Sequence, residues 1–512
     1  MFIDGRTLPD KSQIEADLAI IGAGAAGITL ARALKNTGLK IALVESGGLA
    51  FEDATQELYQ GETSGTPYNL DTARLRYFGG STNHWGGWCR PLEALDFEPR
   101  DWVPHSGWPI KRTDLDPYYV TAQEICQLGP LSYDDPKTWS GDGTMAPMAL
   151  PGGDVETRFF QFSPPTRFGE VYRDDIATAD TIDTFLHTNL KEIEATDSGA
   201  DVTGLALQTL AGNRFTLRAK KYVLAAGGIE NARLLLLSNS VKPAGLGNDH
   251  DLVGRFFMDH PIVPLVGQLV AAPASAVARY YHGYTKIDGT VVRGCLMFSP
   301  AYLQRTKALS TIVTFSPQSE IGQDPATGPD PNAAPLEREL VSLLQTNEPN
   351  PTGTRYVMGC GTEQVPNPDS RVTLSDEKDA LGQNRTKLAW RLTAQDRSSL
   401  RQNLETLAHA FGAWGPARMR INFTDTGSWD EVSTWSHHHI GTTRMAQSDR
   451  QGVVDAEGKV HNMSNLYVAG SSIFPTAGGA SNPTLTIIAL TLRLADHLRD
   501  AFANPEPVRA VP

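Results

Sequence analysis

Three times along the chain a short, unbroken apolar run ends in glycine. DLAII (Asp17 to Ile21) leads into Gly22, Gly24 and Gly27 of GAGAAG, KYVL (Lys221 to Leu224) leads into AAGG, and NLYVAG ends at Gly470. Apolar runs of this length without alternation suit strands buried on both faces, as in a parallel sheet. The first is followed by ITLARALKNTGL, a helical pattern, and then by a second run, IALVE, that ends in Glu45. Strand, turn, helix and strand make a complete βαβ unit. Two alternating segments, VTGLALQTL and RFTLRA, predict a hairpin feeding the strand at Lys221, and IENARLLLLSNS predicts a leucine-rich helix after it. Asp116 before Pro117 predicts the N-cap and first turn of a short helix.

Because the strand-to-glycine turns fall at the start, middle and end of the chain, they predict one nucleotide-binding domain assembled from discontinuous segments. Its expected pieces are residues 1–96, 179–262 and 435–512, with 97–178 and 263–434 forming an inserted substrate-binding domain. A length of 512 residues is enough for two such units. The stretch 316–354, rich in Pro, Gly and Asn, reads as a lid, an oligomer contact or a solvated insertion.

Composition narrows the partners. A formal charge of −13 argues against nucleic acid and against a polybasic membrane surface, and favours an uncharged or cationic small molecule. No run is long and apolar enough to span a bilayer, and the first residues lack the pattern of a secretory signal, so a cytoplasmic protein is expected. The four cysteines, Cys89, Cys126, Cys295 and Cys360, are far apart and form no CxxC pair, so no iron–sulfur, zinc or c-type haem site is expected.

The glycines have separate mechanical jobs. Gly22 makes a tight turn, Gly24 lets backbone approach a pyrophosphate, and Gly27 lets helix and strand pack closely, while Glu45 would accept hydrogen bonds from an adenosine ribose. This motif alone leaves NAD and FAD both open. Near the other end stands the run His437, His438, His439. A neutral imidazole can take the proton of a hydroxyl at physiological pH. If the run is extended, His437 and His439 face away from His438, which makes a metal site from all three geometrically poor, and no metal is expected. Asn482 before Pro483 has two readings, a helix N-cap or a second polar group at a reaction centre.

GAGAAG with Glu45, GGSTNHWGG (Gly79 to Gly87), VLAAGGIENARLLL, VGRFFMDHP (Val253 to Pro261), HHIGTTRM and NLYVAGSSIFPTAGGASNPTLT follow one another nearly end to end. In that order they resemble the glucose–methanol–choline (GMC) oxidoreductases, and within them the branch of pyranose 2-oxidases and glycoside 3-oxidases. The resemblance implies an α/β (α+β overall) fold: a Rossmann-like FAD domain and a substrate domain on a large antiparallel sheet. It implies FAD as cofactor, held by Gly22, Gly24, Gly27, Glu45, Ser81, Asn83, His84, Gly227, Gly470, Ser471, Pro483 and Thr484, with His84 either joined covalently to the flavin or packed beside it. The backbone amides of Thr484 and Leu485 would face the flavin pyrimidine edge.

It places the base on His438 and its partner on Asn482. The implied reaction is oxidation of a secondary hydroxyl, C2 or C3 of a sugar or glycoside, to a ketone, with hydride passing to flavin N5. The alternatives are a dehydrogenase of a non-sugar alcohol and a non-redox lyase that keeps FAD as a structural part. Two departures from the pattern stand out. Gly86 replaces a threonine of the fungal pyranose oxidases, and the mid-chain cysteine cluster of some dehydrogenases is missing. Electrons would therefore pass to oxygen, a quinone or a soluble acceptor, with an oligomer or a partner subunit left open.

Overall fold

The structure is a computed structural model that describes residues 1–141, 143, 145–271, 279–281, 283–317, 354–429, 434–479 and 481–504. Residues 318–353, nearly all of the segment read as a lid, an oligomer contact or an insertion, lie outside the described residues.

The apolar runs form four of the strands of a six-stranded, wholly parallel sheet, three in its middle and Leu466–Val468 at one edge. Its order is Phe2–Asp4, Ile182–Leu186, Ile41–Val44, Leu18–Ile21, Lys221–Leu224 and Leu466–Val468. Every residue of Leu18–Ile21 and Ile41–Val44 is buried, which is why these strands carry no polar alternation. The helix Ala25–Leu34 returns the chain between them and packs against the C-terminal helix Thr484–Ala503. Gly22 turns with φ 103°, and a Cβ there would stand 2.6 Å from the Ala225 carbonyl oxygen. At Gly27 a Cβ would stand 1.8 Å from the Gly22 oxygen, so helix and turn touch backbone to backbone.

A second, antiparallel sheet runs Ala417–Ile421, Ile262–Ala271, Thr354–Thr362, Thr311–Pro317, Thr290–Phe298, Val155–Phe162 and Trp88–Cys89, with Thr285–Ile287 beside Thr290–Phe298. Adjacent residues of one strand feed opposite faces. Phe159 joins the core under the helix Ala394–Trp414, whose Leu400, Leu404, Leu407 and Phe411 stripe packs there, whereas Phe160 joins a smaller cluster on the other side. A capping box between Thr393 and Asp396 starts that helix.

The hairpin Val202–Gln208 with Arg214–Arg218 forms as expected, but in a separate four-stranded sheet with Asn189–Ala195 and Gln13–Glu15. The helix at Asp116 begins one residue earlier than its cap signal implies. Leu115 holds the cap position and Asp116 is already helical, because the 3-10 turn Arg112–Asp114 runs directly into it. A three-stranded sheet pairs Gly61–Gly65 with Asn384–Trp390 and Arg371–Lys378, tying the N-terminal segment to strands far along the chain. All four cysteines are free and buried, and no helix among the described residues is long and apolar enough to cross a membrane.

Candidate active site

The carboxyl ends of four parallel strands open into a cavity of about 320 Å³. This is where open α/β sheets take ligands. Its wall includes Gly22, Gly24, Glu45, Ser81, His84, Gly227, His438, Gly470, Ser471, Asn482, Pro483 and Thr484, so residues from both ends of the chain meet in one place. Three expected residues stand outside the lining, among them Leu485, which is buried in the C-terminal helix. Gly27 is spent on packing, and Asn83 donates from Nδ2 to the Phe78 carbonyl, bracing the turn at Gly79 from behind.

The wall fits an extended phosphorylated cofactor. A Cβ placed at Gly24, Gly227 or Gly470 would meet no atom within 4 Å, so each presents bare backbone to the cavity. Glu45 is buried and already accepts from the Ala23 and Gly47 amides, both at 3.0 Å, so the glycine turn is clamped to the carboxylate expected at the ribose. Arg74 Nη2 and Arg76 Nε are buried without a partner, and both arginines line the cavity. Each lies over the Tyr59 ring. Glu230 holds them by ion pairs; burial works to raise its carboxyl, but the guanidinium groups of Arg233, Arg76 and Arg74 bring it down to about 2. The sequence carried no signal for this arginine pair beyond its place just before GGSTNHWGG.

The same wall carries the histidines. His438 Nε2 lies 3.0 Å from Asn482 Nδ2, while Asn482 Oδ1 accepts the Thr484 amide at 2.9 Å. Asn482 therefore caps the C-terminal helix and faces the base at once. One expectation is corrected here: the Thr484 amide is engaged by Asn482 and does not stand ready for a ligand. On its other side His438 Nδ1 lies 2.8 Å from His260 Nδ1 and 3.1 Å from Ser436 Oγ. Burial, then the neighbouring His260, lowers the His438 pKa to about 3, so the ring is neutral.

The run is not a simple extended strand, since His437 has φ 61°. His437 and His439 both pack edge-on against Tyr68, whereas His438 packs against His260, so the expected separation appears, yet all three rings line the cavity. Trp435 stacks on His437, and Trp85 lines the wall with its Nε1 bonded to the Thr166 carbonyl. Asp259, His260, Ser436 and Tyr68 went unassigned from sequence, although the first two stand in VGRFFMDHP; nothing in a linear pattern says that this turn meets residue 438.

A family model described as FAD dependent oxidoreductase matches residues 17–294, and one described as GMC oxidoreductase matches residues 366–491. The chain is an FAD dependent oxidoreductase with a GMC oxidoreductase C-terminal domain. Similar proteins include the fructose dehydrogenase large subunit of Gluconobacter japonicus, 25% identical over 95% of this chain and 98% of the relative. Another is the 6'''-hydroxyparomomycin C oxidase of Streptomyces lividus, 27% identical over 94% and 92%. The C-glycoside 3-oxidase of Arthrobacter globiformis is 25% identical over 56% of this chain and 48% of its own length. Among solved structures, a formate oxidase superposes with a TM-score of 0.57 at 16% identity, covering 97% of this chain and 100% of that one. This FAD dependent oxidoreductase is accordingly an enzyme built as an FAD-binding domain and a sheet-based substrate domain.

Proposed function

We propose that this oxidoreductase converts a secondary hydroxyl of a sugar or glycoside, at C2 or C3, to a ketone, with His438 as general base. The observation that carries the reading is the 3.0 Å approach of His438 Nε2 and Asn482 Nδ2 on the wall of the cavity. A hydroxyl seated against both would give its hydrogen to Nε2 and accept one from Nδ2. When bound, FAD supplies the acceptor for the hydride. The residues that would hold it are Gly22, Gly24 and Glu45 at the first turn, Ser81 and His84, Gly227, and Gly470, Ser471 and Pro483, all on the cavity wall. Segments 1–96, 179–262 and 435–512 form the part that binds it, and 97–178 with 263–434 the part that admits the substrate.

His84 lines the cavity with its side chain exposed to it, and partial desolvation lowers its pKa; both support a covalent attachment there. Flavin that stays with acid-precipitated protein is the expected result, and flavin released into the supernatant excludes the link.

A non-sugar alcohol is the second reading, favoured by a relative named 2-methyl-1,2-propanediol dehydrogenase, from Mycolicibacterium austroafricanum and 24% identical over 97% of this chain. The relatives named here are oxidases and dehydrogenases, which favours redox turnover over the lyase alternative. The test is the visible absorbance of the anaerobic holoprotein as D-glucose, D-fructose, their methyl glycosides and 2-methyl-1,2-propanediol are added. Bleaching by a sugar or glycoside supports the first reading, and bleaching by the diol alone transfers the assignment to the second. Readmitting oxygen, or adding a quinone, then identifies the electron acceptor.

A further inference from the structure

The hydrogen-bond chain behind His438 can be assigned from its two ends. At one end His260 Nε2 lies 3.0 Å from the Ala477 carbonyl oxygen and 3.3 Å from that of Gly478. A peptide carbonyl only accepts, so this nitrogen carries a hydrogen. His260 is wholly buried, and burial lowers its pKa, so the ring is neutral and its Nδ1 is bare. The group 2.8 Å away, His438 Nδ1, must then be the donor, since two bare nitrogens at that distance repel.

The other end gives the same answer. Asn482 Oδ1 is committed to the Thr484 amide, which turns its NH₂ toward His438 Nε2 and requires that nitrogen to be the acceptor.

Beneath the ring lies a carboxylate. Asp259 is wholly buried; its Oδ1 accepts from the amides of His260 (2.7 Å) and His438 (2.9 Å) and from Ser436 Oγ (2.7 Å). Its Oδ2 accepts from the His437 amide (3.0 Å) and the Tyr68 hydroxyl (2.9 Å). Among the described residues no Lys or Arg forms an ion pair with it. Burial works to raise this carboxyl, but the Ser436 and Tyr68 hydroxyls and the three backbone amides that donate to it hold it ionised. Its charge is thus held by neutral dipoles and remains available to a cation that appears beside it. Asp259, His260 and His438 stand within 4.8 Å of one another, a spacing a metal could use, but the facing atoms are already engaged in the hydrogen bonds just described.

We infer that His260 and Asp259 are positioning residues of the reaction: His260 fixes His438 in the tautomer with a bare Nε2, and Asp259 is the counter-charge for the imidazolium formed there. The inference rests on His438 being the base. The substrate hydroxyl proton goes to His438 Nε2 and the Nδ1 hydrogen of His438 stays in place, while FAD, when bound, would supply the acceptor for the carbinol hydride. No proton leaves through His260, whose Nε2 hydrogen is held by the two carbonyls.

Neutron diffraction from deuterated, oxidised holoprotein tests the tautomer without any substrate. Deuterons on His438 Nδ1 and His260 Nε2, with none on His438 Nε2, are expected; a deuteron on His438 Nε2 overturns the inference. In anaerobic reduction with whichever sugar or alcohol of the panel bleaches the flavin, His260→Ala is expected to slow the limiting rate by about 10- to 100-fold with FAD content and donor affinity unchanged. His260→Asn, whose side-chain oxygen can stand where Nδ1 does, restores most of that rate. Wild-type rates in both His260→Ala and Asp259→Asn, alongside an inactive His438→Ala, defeat the positioning role alone. A fully active His438→Ala defeats the base assignment itself.

Discussion

His438 Nε2 and Asn482 Nδ2 lie 3.0 Å apart because one asparagine serves both a helix end and a histidine. The sequence offered capping and chemistry as rivals, and the side chain has enough hydrogen-bonding atoms for both. Asn482→Ala should lose the cap, at about 1 kcal/mol, together with the contact to His438. Asn482→Asp keeps an acceptor for the Thr484 amide and loses the donor. Melting temperature should fall in the first variant and hold in the second, while flavin reduction falls in both; equal activity in Asn482→Asp and wild type would remove the amide from the reaction.

His438→Ala should retain FAD and lose flavin reduction by ~10²-fold or more, the usual loss with a general base. Burial, then His260, sets the His438 pKa near 3 rather than 6.5. The base is competent when neutral, so the reduction rate should stay level as pH falls through 6.5 and decline only toward 3. A stopped-flow pH series checks this, and an acid limb centred near 6.5 contradicts the burial seen here.

Two glycines of one motif should respond differently. A Cβ at Gly27 meets the Gly22 carbonyl oxygen at 1.8 Å, and nothing there can yield except backbone, so Gly27→Ala should fail to accumulate as folded protein. Gly24→Val projects into the open cavity, and its expected phenotype is a folded protein with a lowered flavin-to-protein ratio. Soluble yield and absorbance separate the two.

Asp96 is buried behind the turn that supplies the carbonyls to His260. Its Oδ2 accepts the Glu93 amide at 2.8 Å and would lie 3.1 Å from a Cβ at Gly478. Burial, then the nearby Glu363, raises its pKa from 3.8 to about 7. A carboxyl whose folded pKa is raised contributes stability below its unfolded pKa and loses it as pH climbs through the folded one. Asp96→Asn should therefore match wild type near pH 4 and melt higher than wild type above pH 7. Identical melting profiles across that range would show that Asp96 carries no such penalty.

Four strands of the parallel sheet were legible, three because their apolar runs end in glycine turns and Ile41–Val44 because it closes the βαβ unit; Phe2–Asp4 and Ile182–Leu186 were not read from the sequence. The hairpin at Val202–Gln208 was legible too, but its sheet was not, since alternation marks a half-buried strand without naming the neighbour. The start of the helix at Asp116 moved by one residue because a preceding 3-10 turn supplies the cap that the side chain was expected to supply.

At the site the same division holds. The sequence by itself determined the glycine turns and the acid at Glu45, because each sits in a local pattern with its own mechanical reason, and its family resemblance singled out His438 and Asn482 as candidates. Only the tertiary structure decided that Asp259 and His260, 178 residues before His438 in the latter case, close around the back of that ring. It also brought Arg74 and Arg76 to the wall of the same cavity. The first relation comes from antiparallel pairing of Met258 with Ile440 and of Ile262 with Thr434, which sets His260 against His438, and a buried hydrogen bond between distant segments leaves no period, spacing or composition along the chain by which it could be read.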